Sequence, residues 1–125
     1  MQLKRLNEFS SIRRARAQQY DELFENHPRI KVINHNYREV VPHIYVIQID
    51  QLKDRRQLQK SLLEKGIQTG VHYLPNHTLS YFEEKNLAQF PVTEKIYSEL
   101  LTIPLHPNVS EDDVAFIASQ VKSLI

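Results

Sequence analysis

The sequence predicts a single α+β domain in which helices pack on a small antiparallel or mixed sheet of three or four strands. Helix-like and strand-like periodicities follow one another along the chain without an internal repeat. The length of 125 residues is that of one ordinary domain. Apolar residues make up 41% of the chain, which is enough to build a core.

The composition bears on several functional classes. The absence of cysteine excludes disulfides and thiolate metal sites, and it fits a cytoplasmic protein. No apolar run reaches the roughly 20 residues of a membrane span, and the N-terminus lacks the features of a signal peptide. Sixteen basic and fifteen acidic residues give a net charge of +1, so the overall charge does not favour nucleic acid or an acidic membrane.

Residues 3–26 are predicted to form one long amphipathic helix, ended by His27 and Pro28. Its apolar side comprises Leu3, Leu6, Phe9, Ala17, Tyr20, Leu23 and Phe24. Arg13 and Arg16 fall within this stripe. Either their stems cover the edge of the core while their heads reach water, or they pair with protein outside this chain.

The same helix is locally basic, which raises a nucleic-acid-binding helix as an alternative function. Its basic residues lie around the helix rather than on one face, which disfavours that alternative. They are Lys4, Arg5, Arg13, Arg14 and Arg16.

Two strands and a polar loop are predicted next. Residues 30–33 form an edge strand and residues 35–39 a polar loop or hairpin tip. Residues 43–49 form the central strand, because apolar side chains alternate on both of its faces. Ile44 and Val46 would face one way, and Tyr45, Ile47 and Ile49 the other.

A helix is predicted after Asp54, which offers an N-cap, with Gln57 completing an approximate capping box. Gly66 is placed to end it as a C-cap. A second strand over residues 67–71 would complete a βαβ-like unit with the central strand. The buried face of this helix is predicted to be Leu58, Leu62 and Leu63.

The last third predicts a loose helical turn over residues 80–89, a helix over 91–100, a short strand over 101–104 and a final helix. The helix over 91–100 would face inward with Ile96, Tyr97 and Leu100. Ser110 is the expected N-cap of the final helix, whose first turn carries three acidic residues. The inner face of that helix is predicted to be Val114, Ile117, Val121 and Leu124.

The segment 66–77 holds both glycines and two of the six histidines. Pro75 would stiffen this loop, and its side chains offer hydrogen-bonding groups to a ligand. They are His72, Tyr73, Asn76 and His77. A metal site is disfavoured, because the two histidines are five residues apart with a proline between them and no carboxylate. The alternative is that the histidines are only hydrogen-bonded within a surface loop.

Several short motifs in fixed order resemble the C-terminal small domain of the DegT/StrS sugar aminotransferases. The motifs are Gly66-Ile67, residues 71–77 (VHYLPNH), Phe90-Pro91, residues 101–107 (LTIPLHP) and residues 110–114 (SEDDV). Residues 2–6 and 14–20 resemble the long helix that joins the two domains in that family. The resemblance covers nearly the whole chain, with residues 1–27 as connecting helix and 28–125 as α+β core of a single domain.

The resemblance implies a pyridoxal phosphate enzyme of the aspartate aminotransferase fold type. Such an enzyme passes an amino group, commonly from glutamate, to a keto sugar carried on a nucleotide, for polysaccharide or other amino-sugar biosynthesis. It also implies a homodimer and a large domain, in the same chain, that holds the cofactor and its lysine. This chain would then be roughly the last third of the enzyme and inactive alone, with no catalytic, cofactor or metal residue of its own.

The resemblance further implies that His77, with His72 and Tyr73 beside it, hydrogen-bonds hydroxyls or the diphosphate of the substrate. These residues would orient the substrate without transferring protons. Gln48 stands where many relatives carry arginine, so a substrate contact there is not expected. A free-standing binding module of the same fold remains the alternative from another functional class.

Overall fold

The computed structural model describes residues 2–81 and 89–125. This part of the chain forms four α-helices and three strands, which confirms the α+β class. Most of the turn predicted over residues 80–89 lies outside the described residues. The elements are α1 (Leu6–Phe24, after a 3-10 turn at Gln2–Arg5), β1 (Ile30–Val32), β2 (Tyr45–Ile49), α2 (Arg55–Glu64), a 3-10 turn (Asn76–Thr78), α3 (Pro91–Glu99), β3 (Leu100–Ile103) and α4 (Glu111–Ser123).

The strands form an antiparallel sheet in the order β1-β2-β3, so β2 is central as predicted. Residues directly opposite each other in neighbouring strands point to the same side. The register therefore defines a core face, formed by Ile30, Tyr45, Ile47, Ile49, Leu101 and Ile103. The opposite side, here called the polar face, carries Val46, Gln48, Leu100 and Thr102.

The second strand predicted over residues 67–71 is wrong: only Gly70 pairs, through two backbone hydrogen bonds with Thr102 of β3. The N–H of Ile67 donates instead to the carbonyl of Leu62, in the C-cap of α2. Gly66, with φ of 79°, allows that cap. The Gly70 segment runs parallel to β2 with β3 between them, so the predicted βαβ-like unit is split by β3.

Helices α1, α2 and α4 contribute to one core with the core face of the sheet. From the helices the core takes Ala17, Tyr20, Phe24, Leu58, Leu62, Val114, Ile117, Ala118 and Val121. Apolar periodicity overestimated the number of buried residues, because it does not reveal where a helix extends beyond its neighbours. Exposed residues that were predicted to face inward are Leu3, Leu6, Leu63, Ile96 and Leu124.

Helix α1 is shorter than predicted. It ends at Phe24 because Asn26 adopts a left-handed backbone, with φ of 60°, and the N–H of His27 donates back to the carbonyl of Phe24. Asparagine is one of the few residues that tolerates this conformation. The helix therefore ends before the residue whose helical geometry Pro28 would disfavour.

Arg13 and Arg16 have partners within this chain, which neither interpretation included. Arg13 donates from Nη1 to the carbonyls of His43 and Leu105, at 3.0 and 3.1 Å. Arg16 donates from Nε to the carbonyl of Val109, at 3.0 Å. Their heads thus satisfy loop carbonyls that strands and helices leave unpaired. Helix α1 holds the loops before β2 and after β3 through these two side chains.

The helix caps follow the sequence closely. Ser110 and Asp113 form a complete capping box at α4, with each side chain accepting the other's backbone N–H. Asp54 caps α2 by accepting the N–H of Gln57 at 2.9 Å. The Gln57 amide instead donates to the hydroxyl of Ser61, so the second half of the predicted box at α2 is absent.

A tyrosine cluster lies at the edge of the core. The loop predicted as polar contributes Tyr37, which is buried, and Asp21 accepts from the hydroxyls of Tyr37 and Tyr45 at 2.8 and 2.5 Å. Burial first, and the Asp21 carboxylate second, raise the pKa of both phenols above their ordinary value.

No helix within the described ranges has the length and apolar character to cross a membrane.

Candidate functional site

The polar face of the sheet is organised by a buried carboxylate. Glu99, at the end of α3, accepts from Nε2 of Gln48 at 2.7 Å and from the N–H of Gln51 at 3.3 Å. The hydrogen bond from Gln48 is the main cause that lowers the pKa of Glu99. The prediction that α3 buries Ile96, Tyr97 and Leu100 is therefore wrong, because α3 buries Glu99 beside a polar sheet surface.

Arg55 connects the start of α2 to the end of α3. Its guanidinium stacks over the Tyr97 ring at 4.6 Å and donates to the carbonyls of Tyr97 and Leu100. A cation at a helix C-terminus satisfies carbonyls that lack intrahelical donors. Gln48 and Arg55 thus both have partners inside the domain.

His72 is half-buried against β3. Its Nδ1 lies 3.0 Å from the hydroxyl of Thr102. A Cβ added at Gly70 would come 3.0 Å from Cε1 of His72, so glycine leaves room for the imidazole. Tyr73 follows through a cis peptide bond and meets the His72 ring edge-on, with centroids 5.0 Å apart. The Tyr73 side chain is 69% exposed.

His77 lies on the 3-10 turn at Asn76–Thr78 and is held by α3. Its ring stacks on Phe90, with centroids 4.5 Å apart and planes 22° apart. Its Nε2 lies 2.5 Å from Oε1 of Glu94. Only 12% of the side chain is exposed. The stiffness expected from Pro75 is therefore supplemented by direct contacts to the His77 ring.

The structure attaches the three predicted site residues to one side of the domain through different elements. His72 is bonded to β3, His77 to α3, and Tyr73 is exposed between them. Sequence reasoning missed Glu94, which is the acidic residue in the first turn of α3. It noted Phe90 only as part of a motif. The signal available in the sequence was Phe90 followed by proline, with the carboxylate of Glu94 three residues after the proline.

Two cavities flank this region. One of about 370 Å³ is lined by His43, Thr69, Gly70, His72 and Thr102, and therefore adjoins the polar face. A larger one, of about 570 Å³, lies between the end of α2 and the start of α4 and is lined by neither His72 nor His77. Within residues 2–81 and 89–125, no three histidine or acidic side chains are grouped to hold a metal ion.

Fold and site together define an α+β domain whose sheet has one face in the core and a histidine-bearing loop fastened to the other. A profile of the DegT/DnrJ/EryC1/StrS aminotransferase family matches residues 1–122. The chain belongs to this family.

Individual relatives agree with the family match. The spore coat polysaccharide biosynthesis protein SpsC of Bacillus subtilis is 30% identical over 132 residues, which cover 99% of this chain and 34% of SpsC. A dTDP-3-amino-3,6-dideoxy-α-D-galactopyranose transaminase of Aneurinibacillus thermoaerophilus is 31% identical over 80 residues, covering 63% of this chain and 22% of that enzyme.

Solved structures share the fold. Spr1654 from Streptococcus pneumoniae, in its PMP form, superimposes with a TM-score of 0.87 at 25% identity. The match covers 98% of this chain and 32% of Spr1654. The chain thus spans about a third of the length of SpsC and of Spr1654.

Proposed function

We propose that the chain is the C-terminal small domain of a pyridoxal phosphate-dependent aminotransferase. The enzyme transfers an amino group, from glutamate, to a nucleotide-linked keto sugar, for polysaccharide or other amino-sugar biosynthesis. The family match over residues 1–122 carries this proposal. The name of the dTDP-sugar transaminase supports a nucleotide-linked substrate, and the name of SpsC supports a role in polysaccharide formation.

The proposal also includes a large domain, a dimer and a cellular location for the enzyme. Residues 1–27 connect to a large domain of the same chain, residues 28–125 form the small domain, and two copies form a homodimer in the cytoplasm. The share of about one third of SpsC supports a large domain beyond this chain. The lack of cysteine supports the location.

The residues of this chain do not fit the cofactor themselves. The described lysines are exposed, apart from Lys122, which donates to the carbonyl of Leu23. A phosphate group favours a helix N-terminus free of acidic side chains. Here Asp54, Glu94 and Asp113 lie at the N-termini of α2, α3 and α4. We therefore assign the cofactor to the large domain.

The role left for this domain is to bind and orient the sugar nucleotide. His77, His72 and Tyr73 are the proposed contacts. Fixed partners hold the two imidazoles in place, since His72 lies on Thr102 and His77 lies between Phe90 and Glu94. Side chains that are already ordered lose little entropy when they bind a ligand. Tyr73 adds a flat, exposed ring to the same loop.

The test compares the two half-reactions in the enzyme that contains this domain. For His77→Ala, the half-reaction with the amino donor should change little. The half-reaction with the sugar nucleotide should lose about 5- to 150-fold in kcat/KM, the effect of about 1–3 kcal/mol for a lost polar contact. Because His77 also packs on Phe90, both are measured below the melting temperature of the variant. Equal losses in the two half-reactions would contradict the assignment.

The isolated chain provides a second test. It should neither retain pyridoxal phosphate through dialysis nor transaminate, since the lysines and helix N-termini in residues 2–81 and 89–125 do not form a cofactor site. Retention that is lost on replacing one lysine would overturn this expectation. A functional gene with no large domain upstream would favour the free-standing binding module.

The nucleic-acid alternative receives no support from the basic helix. Arg13, Arg14 and Arg16 each donate to a backbone carbonyl of this chain, and Arg5 pairs with Glu8. These guanidinium groups are used to hold loops and the helix start. Phosphate contacts would have to compete with those bonds.

A further inference from the structure

The partner of His77 determines which of its ring nitrogens carries a proton. An ionised carboxylate can only accept hydrogen bonds. Oε1 of Glu94 lies 2.5 Å from Nε2 of His77, so the hydrogen between them belongs to Nε2. His72 differs, because its partner is the Thr102 hydroxyl, which can donate or accept. Geometry therefore assigns the tautomer of His77 and leaves that of His72 open.

The other nitrogen of His77 is then an acceptor. A neutral imidazole with a proton on Nε2 presents a lone pair on Nδ1. No described residue is hydrogen-bonded to that Nδ1. The buried side-chain atoms without a partner, in the part of the chain that the structure describes, are Oε1 of Gln19 and Oγ1 of Thr69. Nδ1 of His77 is not one of them, and 12% of the His77 side chain reaches solvent.

We propose that Glu94 is a positioning residue that fixes His77 as a hydrogen-bond acceptor, so that His77 recognises a donor group of the ligand. Such a group is a hydroxyl or an amine. A diphosphate oxygen does not fit this contact when the ring is neutral, because it is an acceptor and would face the lone pair of Nδ1. The identification of the donor as a sugar hydroxyl rests on the proposed function.

Phe90 completes the arrangement. Its ring lies nearly parallel to the imidazole, 22° from it, and so restricts the rotation that would exchange the two nitrogens. The carboxylate sets the tautomer and the aromatic ring sets the plane. Partners that orient a functional histidine through its second nitrogen are a general device in proteins.

The tautomer is measured directly on this chain by long-range ¹H–¹⁵N correlation spectra of the histidine rings at pH 8. At this pH the ordinary imidazole is neutral. We expect His77 to show a protonated Nε2 and an unprotonated Nδ1. Glu94→Gln should yield a mixture of tautomers, because an amide can donate as well as accept. Glu111→Gln is the matched control, since Glu111 pairs with Arg16 and should leave the His77 spectrum unchanged.

Two results of that experiment would overturn the proposal. One is a proton on Nδ1 of His77 in the wild type, either as the other tautomer or as a doubly protonated ring. The other is a Glu94→Gln spectrum identical to that of the wild type. Neither result depends on the enzyme's activity, so the tautomer assignment can be wrong while the aminotransferase assignment stands.

The ligand side is tested in the enzyme that contains this domain, with dTDP-linked keto sugars in which each hydroxyl in turn is replaced by fluorine. Fluorine cannot donate a hydrogen bond. Fluorine at one position should lower the kcat/KM of the wild type by about 5- to 150-fold. His77→Gln can still face Glu94 but lacks Nδ1. The same fluorinated substrate should therefore cause no such loss in this variant.

Equal sensitivity of wild type and His77→Gln at every position would contradict donor recognition by His77. If the enzyme aminates no sugar nucleotide at all, the proposed function fails and the spectra still decide the role of Glu94.

Discussion

The two faces of the sheet differ in what covers them. On the core face, Ile47 and Ile49 have no exposed surface, and α1, α2 and α4 contribute to the same core. On the polar face, Val46 and Gln48 are half-buried, and the helix packed there buries the carboxylate Glu99. That helix, α3, exposes 69% of Val92 and 38% of Ile96.

This difference separates stability from recognition within one small domain. Apolar burial contributes most of the folding free energy, and it is concentrated on the core face. The polar face uses two hydrogen bonds, one between Gln48 and Glu99 and one between His72 and Thr102, whose net contributions are smaller. The loop with the proposed substrate contacts is attached to this second face, where its side chains can be specialised for a ligand with little loss of stability.

The largest expected effect distinguishes neighbours in β2. Ile47→Ala on the core face should lower the free energy of unfolding by about 2–5 kcal/mol, because it leaves a cavity in a packed core. Val46→Ala, on the polar face, should cost less than about 1 kcal/mol, since its side chain is already half-exposed. Urea unfolding followed by circular dichroism measures both. Comparable losses for the two variants would abolish the distinction between the faces.

Much of the core face could be predicted from sequence, whereas most of the polar face could not. Alternation in β2, the Ser110 cap and the Gly66 cap are local signals that tertiary contacts reinforce. The burial of Glu99 and the pairing of His77 with Glu94 depend on contacts between distant segments. Periodicity assigned α3 an apolar inner face because it registers hydrophobicity and cannot register that the opposing surface is polar.

The second prediction concerns alkaline stability. The raised pKa of the Tyr45 phenol means that it keeps its proton in the folded state, while an unfolded tyrosine releases its proton near pH 10. Its contribution is fully present below pH 10 and is lost as the pH rises above that value. Tyr45→Phe should therefore reduce the decline of the unfolding free energy by about 1.4 kcal/mol per pH unit above pH 10.

That prediction sharpens the comparison because Tyr45 brings a polar group to the core face, where its hydroxyl donates a hydrogen bond to Asp21. The measurement is a series of urea unfolding curves between pH 8 and pH 11 for the wild type and Tyr45→Phe. Parallel declines in the two proteins would show that the phenol is not protected by the fold.

The two glycines give a third contrast. Gly66→Ala should cost about 1–2 kcal/mol despite open space around it, because its φ of 79° strains any residue with a Cβ. Gly70→Ala should cost less than about 1 kcal/mol, since the atom it meets is at the end of the His72 side chain, which can move. It should, however, displace His72 from Thr102 and shift the His72 ring signals in the NMR spectrum. Unchanged His72 signals would contradict the proposed role of Gly70.

The smallest expected effect is the acid dependence of the polar face. Glu99 has a lowered pKa in the folded state, chiefly because Gln48 donates to it. It therefore stabilises the fold above the pKa of an unfolded glutamate, about 4.3, and this contribution is lost as the pH falls through the lowered value. The difference in unfolding free energy between the wild type and Glu99→Gln should be largest near pH 7 and should shrink as the pH falls below about 4.3. Asp113, whose pKa is also lowered, titrates in both proteins and cancels in this difference. Glu64→Gln, at an exposed position of α2, is a control for the loss of one charge. A difference that stays constant with pH would mean that Glu99 acts by packing alone, and the polar face would then resemble the core face more closely than its hydrogen bonds indicate.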